Sequence, residues 1–204
     1  VLILSGIYFY NFTTPEFNVN VSLLPFWALS VYFFWKGLNS DNKINWILFG
    51  IFSALGFLSK YLFIYLLASL FIYFIFNLKK YKRFIANYCL SIGISLLLLI
   101  PHFIWLMENN FVTIFYGLNR SGLTETEIAN HLINPLFFLI KQMLILVPFF
   151  LMIFLIVKKI KIKIKIKNKN TLFLFVINLI PFFLVLITSI SVSYTHLTLP
   201  TKRI

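Results

Sequence analysis

Polar residues divide the chain into long apolar runs, and within each run the apolar positions are continuous rather than alternating. In order, the runs cover about residues 1–12, 21–35, 46–58, 61–76, 84–105, 136–157 and 171–191. A strand in a membrane barrel would alternate apolar and polar positions over roughly 10 residues, which stretches such as 91–100 and 144–157 do not do. A helix needs roughly 20 apolar residues to cross the hydrocarbon, and it satisfies its own backbone hydrogen bonds where no water is available. The pattern therefore predicts an all-α fold, a polytopic transmembrane bundle of six spans with a partial one in front. Residues 46–76 form an apolar stretch of 31 whose only charge is Lys60. That is too long for one ordinary span and suits two short helices meeting at Lys60. Gly50 and Gly56 in the first of them would permit close helix packing.

Composition agrees with the bilayer as solvent: 61% of the 204 residues are hydrophobic, 11% are charged, and the mean hydropathy is +0.94. An ordinary soluble domain lies far from these values. One cysteine, Cys89, sits in an apolar run, so an internal disulfide or a cysteine-based metal cluster is excluded. It reads as apolar filler facing lipid or core, and no metal or cofactor is expected.

A net charge of +13 would suit nucleic-acid binding, but the cations sort by loop. Lys36 and Lys43 share one connection, Lys79, Lys80, Lys82 and Arg83 a second, and seven lysines between Lys158 and Lys169 a third. These three connections alternate with the others, and short cytoplasmic loops carry the excess of Lys and Arg. On that rule residues 13–20, the break at Lys60 and the loop 107–134 face away from the cytoplasm. Thirteen cations then lie inside against Lys60, Arg120 and Lys141 outside. The charge is topological, the expected partner is membrane lipid, and no nucleic acid is implied. The Lys/Ile alternation over 161–167 reads as a solvated, lipid-adjacent loop.

Ionisable groups at membrane depth are costly and mark candidate sites. Lys60 is the clearest: at a helix break, an ammonium and freed helix ends can hold a phosphate. The plain alternative is a lysine snorkelling to the interface. Past Pro101-His102, the outer loop carries Glu108, Asn109, Arg120, Glu125, Glu127 and His131. Arg120 suits bidentate phosphate binding, and His131 can donate to it or orient it. His102 is a further candidate, or equally a helix-end histidine satisfied by a carbonyl. Any of the three glutamates could act as a general base, and their spacing singles out none. The absence of HExxH, CxxC, GxGxxG and Walker-type motifs removes soluble nucleotide chemistry and ATP hydrolysis.

The run Thr14-Pro-Glu-Phe-Asn-Val-Asn20, then Leu24-Pro-Phe-Trp-Ala-Leu29, then Gly50 and Gly56-Phe-Leu-Ser-Lys-Tyr61, resembles bacterial glycosyltransferase family 39 and its relatives. These include the dolichyl-phosphate-mannose protein mannosyltransferases and the aminoarabinose transferase of lipid A. Pro101-His-Phe-Ile-Trp105, Phe111, Arg120 and His131 to Pro135 continue the likeness, which spans about Gly6 to Phe150. The resemblance implies a GT-C fold and an inverting hexosyl- or pentosyl-type transferase. Such an enzyme moves sugar from a polyprenyl-phosphate donor to a lipid, glycan or protein acceptor, on the extracytoplasmic face of a bacterial plasma membrane. Lys60, Arg120, His131 and His102 would bind the donor phosphate. The family's catalytic aspartate would lie in the first outer loop, before Val1, so the chain by itself is expected to be inactive. Glu16 is a weak substitute, because it precedes the wrong span.

Residues 192–201 resemble a translated sequencing-library adapter. The expected organisation is therefore a transmembrane-domain fragment over 1–191 and a non-native tail over 192–204. Two other classes compete with the enzyme: a transporter or flippase of lipid-linked sugars, which should show internal repeats that are absent here, and a non-catalytic assembly subunit.

Overall fold

Apolar runs of this length can only become helices in lipid, and the computed structural model, which describes residues 19–120, 128–159 and 169–191, is helical almost throughout. In chain order the helices are α1 (Val19–Asn39), α2 (Lys43–Ser59), α3 (Ile64–Phe76), α4 (Leu78–Tyr81), α5 (Ile85–Glu108), α6 (Val112–Arg120), α7 (Ile128–Lys159) and α8 (Lys169–Ser191). Single 3-10 turns at Tyr61–Phe63 and Lys82–Phe84 lead into α3 and α5. The described residues contain no strand, so the all-α membrane bundle expected from the pattern holds. Among the described residues three helical stretches, Val19–Asn39, Leu78–Glu108 and Asn170–Thr188, are long and apolar enough to cross a membrane. Lys43–Ser59 and Tyr61–Phe76 are shorter apolar helices, each about 25 Å long at 1.5 Å per residue.

The chain forms two compact units. The first holds residues 19–103 and 169–182 of those described. Its α1 and α2 form an antiparallel hairpin in which Gly37 meets Trp46, Phe34 tilts onto Phe49 with centroids 5.2 Å apart, and Phe33 stacks on Phe52 at 5.4 Å. Lipid is as apolar as the side chains, so close packing rather than water exclusion must hold spans together. Aromatic rings supply much of it. Phe34, Trp46, Phe49, Phe74, Phe84 and Tyr88 are all buried and contact one another, and Phe173 of α8 stacks on Phe34 and Trp35.

Small residues set the closest approaches. A Cβ at Gly50 would lie 2.6 Å from the Ser91 carbonyl oxygen of α5, and the Ser95 hydroxyl donates to the Gly50 carbonyl at 2.8 Å. Gly50 thus serves the helix contact that the spacing predicted. Gly56 does something else: a Cβ there would sit 2.5 Å from the Phe63 ring, in the turn that immediately follows α2.

Two polar links mark the ends of this unit. Arg83 pairs with Asp41 at 3.7 Å, bringing the α1–α2 connection to the turn before α5. Lys60 reaches Asn20 and Tyr61 reaches His102 at the other end. The cations of the first two basic connections therefore share one end and Lys60 lies at the opposite one, as the loop sorting predicts.

The second unit holds the described residues among 104–120, 128–159 and 183–191. Here the structure departs from the expected outer loop over 107–134. Helix α5 runs on through Pro101 to Glu108, a tight turn follows with Asn110 at φ 50° and Phe111 at φ 54°, and α6 and the first turns of α7 take most of the remainder. Apolar Phe111, Ile114 and Phe115 recur at i, i+3 and i+4 with Thr113 on the other side, a periodicity that span-finding by mean hydropathy overlooks. Residues 77–83, read as a connection between runs, likewise coil into α4 and most of a 3-10 turn because Tyr81 and Phe84 bury inward. Exposed Met143, Leu144, Val147 and Phe150 present an apolar face along α7, as a lipid-facing span requires. Cys89 is also exposed on α5, in keeping with an apolar filler role.

Candidate functional site

The break between α2 and the following 3-10 turn is built by backbone bonds on both sides of Lys60. Its amide N–H donates to the Gly56 carbonyl at 3.1 Å, and its own carbonyl accepts from Phe63 N–H at 2.9 Å. Lys60 is extended between them, at φ −162° and ψ 129°. Phe63 seats its ring on Gly56 and meets Trp27 edge-on at 5.9 Å, so the chain reverses around one fully buried ring. The corner fixes where the lysine stem leaves the backbone.

From that corner the ammonium donates to Asn20 Oδ1 at 2.7 Å. Asn20 lies in the first turn of α1, forty positions earlier. The partner is a neutral amide, and among the described residues no carboxylate pairs with Lys60. Partial burial penalises the charged form and pulls the Lys60 pKa below its ordinary 10.5. A partly buried cation with no carboxylate partner among the described residues suits an anion.

The next residue, Tyr61, brings its hydroxyl to 2.9 Å from His102 Nε2, with ring centroids 5.8 Å apart. His102 lies one position past Pro101 within α5, not at its end, and its ring is met by a hydroxyl where a backbone carbonyl was the expected alternative. Lys60 and His102 are therefore brought to the same end of one unit by adjacent positions of one turn. Below them is an apolar cavity of about 270 Å³. Phe57, which packs on Tyr61 at 5.3 Å, and Phe103, next to His102, help to line it. Its wall includes Ser53, Ser91 and Ser95.

Arg120 closes α6 and His131 lies in the first turn of α7, both in the second unit and both in helices where a loop was expected. Their side chains lie outside the described residues, as do Glu16, Glu125, Glu127, the 161–167 run and the tail after 191. Sequence reasoning missed Asn20 and Tyr61 as parts of this cluster. Tyr61 belongs to the Leu-Ser-Lys-Tyr run and Asn20 closes the Thr14–Asn20 run, but neither carries charge, so no charge or hydropathy signal marks them. Among the described residues no group of histidine, cysteine or carboxylate side chains is arranged to hold a metal.

Compared with known proteins, residues 1–105 match a family model described as dolichyl-phosphate-mannose-protein mannosyltransferase. The match takes in Asn20, Lys60, Tyr61 and His102 and stops short of Arg120 and His131, earlier than the limit of the resemblance read from motifs. No curated protein and no solved structure matches the chain.

Proposed function

Because the chain belongs to the dolichyl-phosphate-mannose-protein mannosyltransferase family, and is thereby a membrane glycosyltransferase of mannosyltransferase type, we propose that its donor is a polyprenyl-phosphate sugar whose phosphate is received by Lys60. The observation that carries this reading is the partly buried ammonium at a membrane-end corner, held among the described residues by the neutral amide of Asn20 and by no carboxylate. A phosphodiester would supply a counter-charge, and a charge-assisted bond of this kind is about twice as strong as a neutral one.

The rest of the cluster supports the same substrate. Tyr61 and His102 offer polar hydrogens beside the phosphate position, while the cavity beneath, walled by Phe57, Ile64, Leu96 and Phe103, suits the apolar part of a prenyl chain. In the transfer an acceptor hydroxyl attacks the anomeric carbon as a carboxylate base takes its proton, the bond to phosphate oxygen breaks, and configuration inverts. Lys60 stabilises the charge that grows on the leaving phosphate. Arg120 and His131 are proposed as further donor-phosphate ligands, and the carboxylate base as a residue outside those described. The acceptor is a lipid, glycan or protein on the extracytoplasmic face of a bacterial plasma membrane. The basic connections at the far end of the unit favour that orientation.

The test is direct binding of polyprenyl phosphate to the membrane-embedded protein, which does not depend on turnover. Lys60→Ala should weaken binding and Lys60→Arg should retain most of it. Equal affinity for the wild type and Lys60→Ala would remove the assignment.

A further inference from the structure

At the end opposite Lys60, the two connections joined there carry six exposed cations, Lys36, Lys43, Lys79, Lys80, Lys82 and Arg83, and a single acid, Asp41. Asp41 and Arg83 approach to 3.7 Å, but with side chains 77% and 65% exposed the pair is solvated and neutralises little. The two connections it joins therefore present a nearly unopposed positive face. Lys43, Lys79 and Lys82 have no ion-pair partner among the described residues.

This face is not a floppy loop. Asn77 accepts at its carbonyl from the amides of Lys80 and Tyr81, at 3.0 and 3.1 Å, and its side chain donates to the Tyr73 carbonyl at 2.9 Å. Tyr81 and Phe84 are buried, and Phe84 packs on Trp46, itself fully buried. With the aromatic side turned in, Lys79, Lys80, Lys82 and Arg83 are turned out. Lys80 lies over the Tyr81 ring at 4.6 Å and donates to its hydroxyl at 2.9 Å, and Arg83 lies over Phe84 at 4.5 Å. These two charged heads thus rest against rings that are themselves buried, and both residues stay exposed. In a membrane protein these heads lie at the level of the lipid phosphates, next to a span surface of exposed Phe76 and Leu78.

We infer that the Ser40–Lys43 and Leu78–Phe84 connections together form a binding site for the headgroup of an anionic glycerophospholipid. The ligand class follows from exposed cations on two connections that Asp41 and Arg83 bring together beside an apolar flank, which suit a phosphate carried on acyl chains. The site is separate from the donor site and does not rest on the donor reading.

The test uses the whole protein in phosphatidylcholine vesicles with spin-labelled phosphatidylglycerol or phosphatidylcholine as probe, reading the preference of the motion-restricted fraction for the anionic lipid. Combined Lys43→Ala, Lys79→Ala and Lys82→Ala should lower that preference by about fivefold per lysine until the two lipids bind alike. Asp41→Asn should raise it. Removing the same three charges at Lys161, Lys163 and Lys165 should leave most of the preference in place. An equal loss from that second set would mean diffuse attraction to a basic protein and would overturn the site. Displacement of the labelled lipid by inorganic phosphate at matched concentration would assign a free-anion site and would overturn it as well.

Discussion

Replacing Lys60 by alanine removes one ammonium and one 2.7 Å hydrogen bond, and leaves Asn20 in the first turn of a helix where solvent or headgroups can reach it. The effect on folding should therefore be small and the effect on phosphate binding large. Two unit charges ~4 Å apart attract by about 4 kcal/mol at an effective dielectric of ~20. Part of this is offset by giving up the Asn20 bond and the remaining hydration, so a net loss of about 1.5–3 kcal/mol is expected, the range for hydrogen bonds to charged groups. That is a rise in Kd of roughly 10- to 100-fold. The assay is equilibrium binding of labelled polyprenyl phosphate to protein in lipid nanodiscs, repeated from neutral pH up to 10.5, the ordinary lysine value. Burial lowers the Lys60 pKa, so the free protein sheds this proton sooner than an unfolded chain would. Wild-type affinity should accordingly fall with rising pH before 10.5 is reached. The same displacement makes this residue's contribution to stability increase with pH between its lowered pKa and 10.5. Lys60→Arg should flatten the binding profile, because a guanidinium stays charged throughout. An unchanged Kd in Lys60→Ala, or a wild-type profile as flat as that of Lys60→Arg, would refute the reasoning.

Three other outcomes follow from the packing and the topology. Gly50→Ala should destabilise the protein by about 3 kcal/mol in detergent unfolding and Gly56→Ala by about 1–2 kcal/mol, because the first added methyl meets Ser91 backbone and the second meets only a side-chain ring; the reverse order would undo this account of the two glycines. A double-mutant cycle between Tyr61→Phe and His102→Ala should show a coupling of about 1 kcal/mol in stability, the worth of one neutral hydrogen bond. Additive effects would mean that the contact contributes nothing. In a Cys89→Ser background, cysteines introduced at Lys60 and Arg120 should both react with an impermeant reagent added from outside, and cysteines at Lys43 and Lys82 should not. Opposite accessibility of positions 60 and 120 would dismiss Arg120 as a donor ligand.

What the sequence determined by itself is the helical character of the apolar runs from 21 to 105, the break at Lys60 and the gathering of the first two basic connections at the other end. Each depends on local composition measured against one external length, the thickness of the hydrocarbon, and needs no knowledge of which residues touch. The 61–76 run, read from hydropathy alone, coincides with the Tyr61–Phe63 turn and α3. Tertiary structure alone decided the partners. Asn20 meets Lys60 across forty positions, Tyr61 meets His102 across forty-one, and Gly50 meets Ser91 and Ser95 on a helix two spans later. Neutral hydroxyls and amides leave no mark in a hydropathy or charge pattern, so the groups that complete the site become visible only when packing brings them to the lysine. The helical winding of residues 78–84 and 112–120 belongs to the same class: its cause is two buried rings in one case and an amphipathic spacing in the other. Span length says nothing about either.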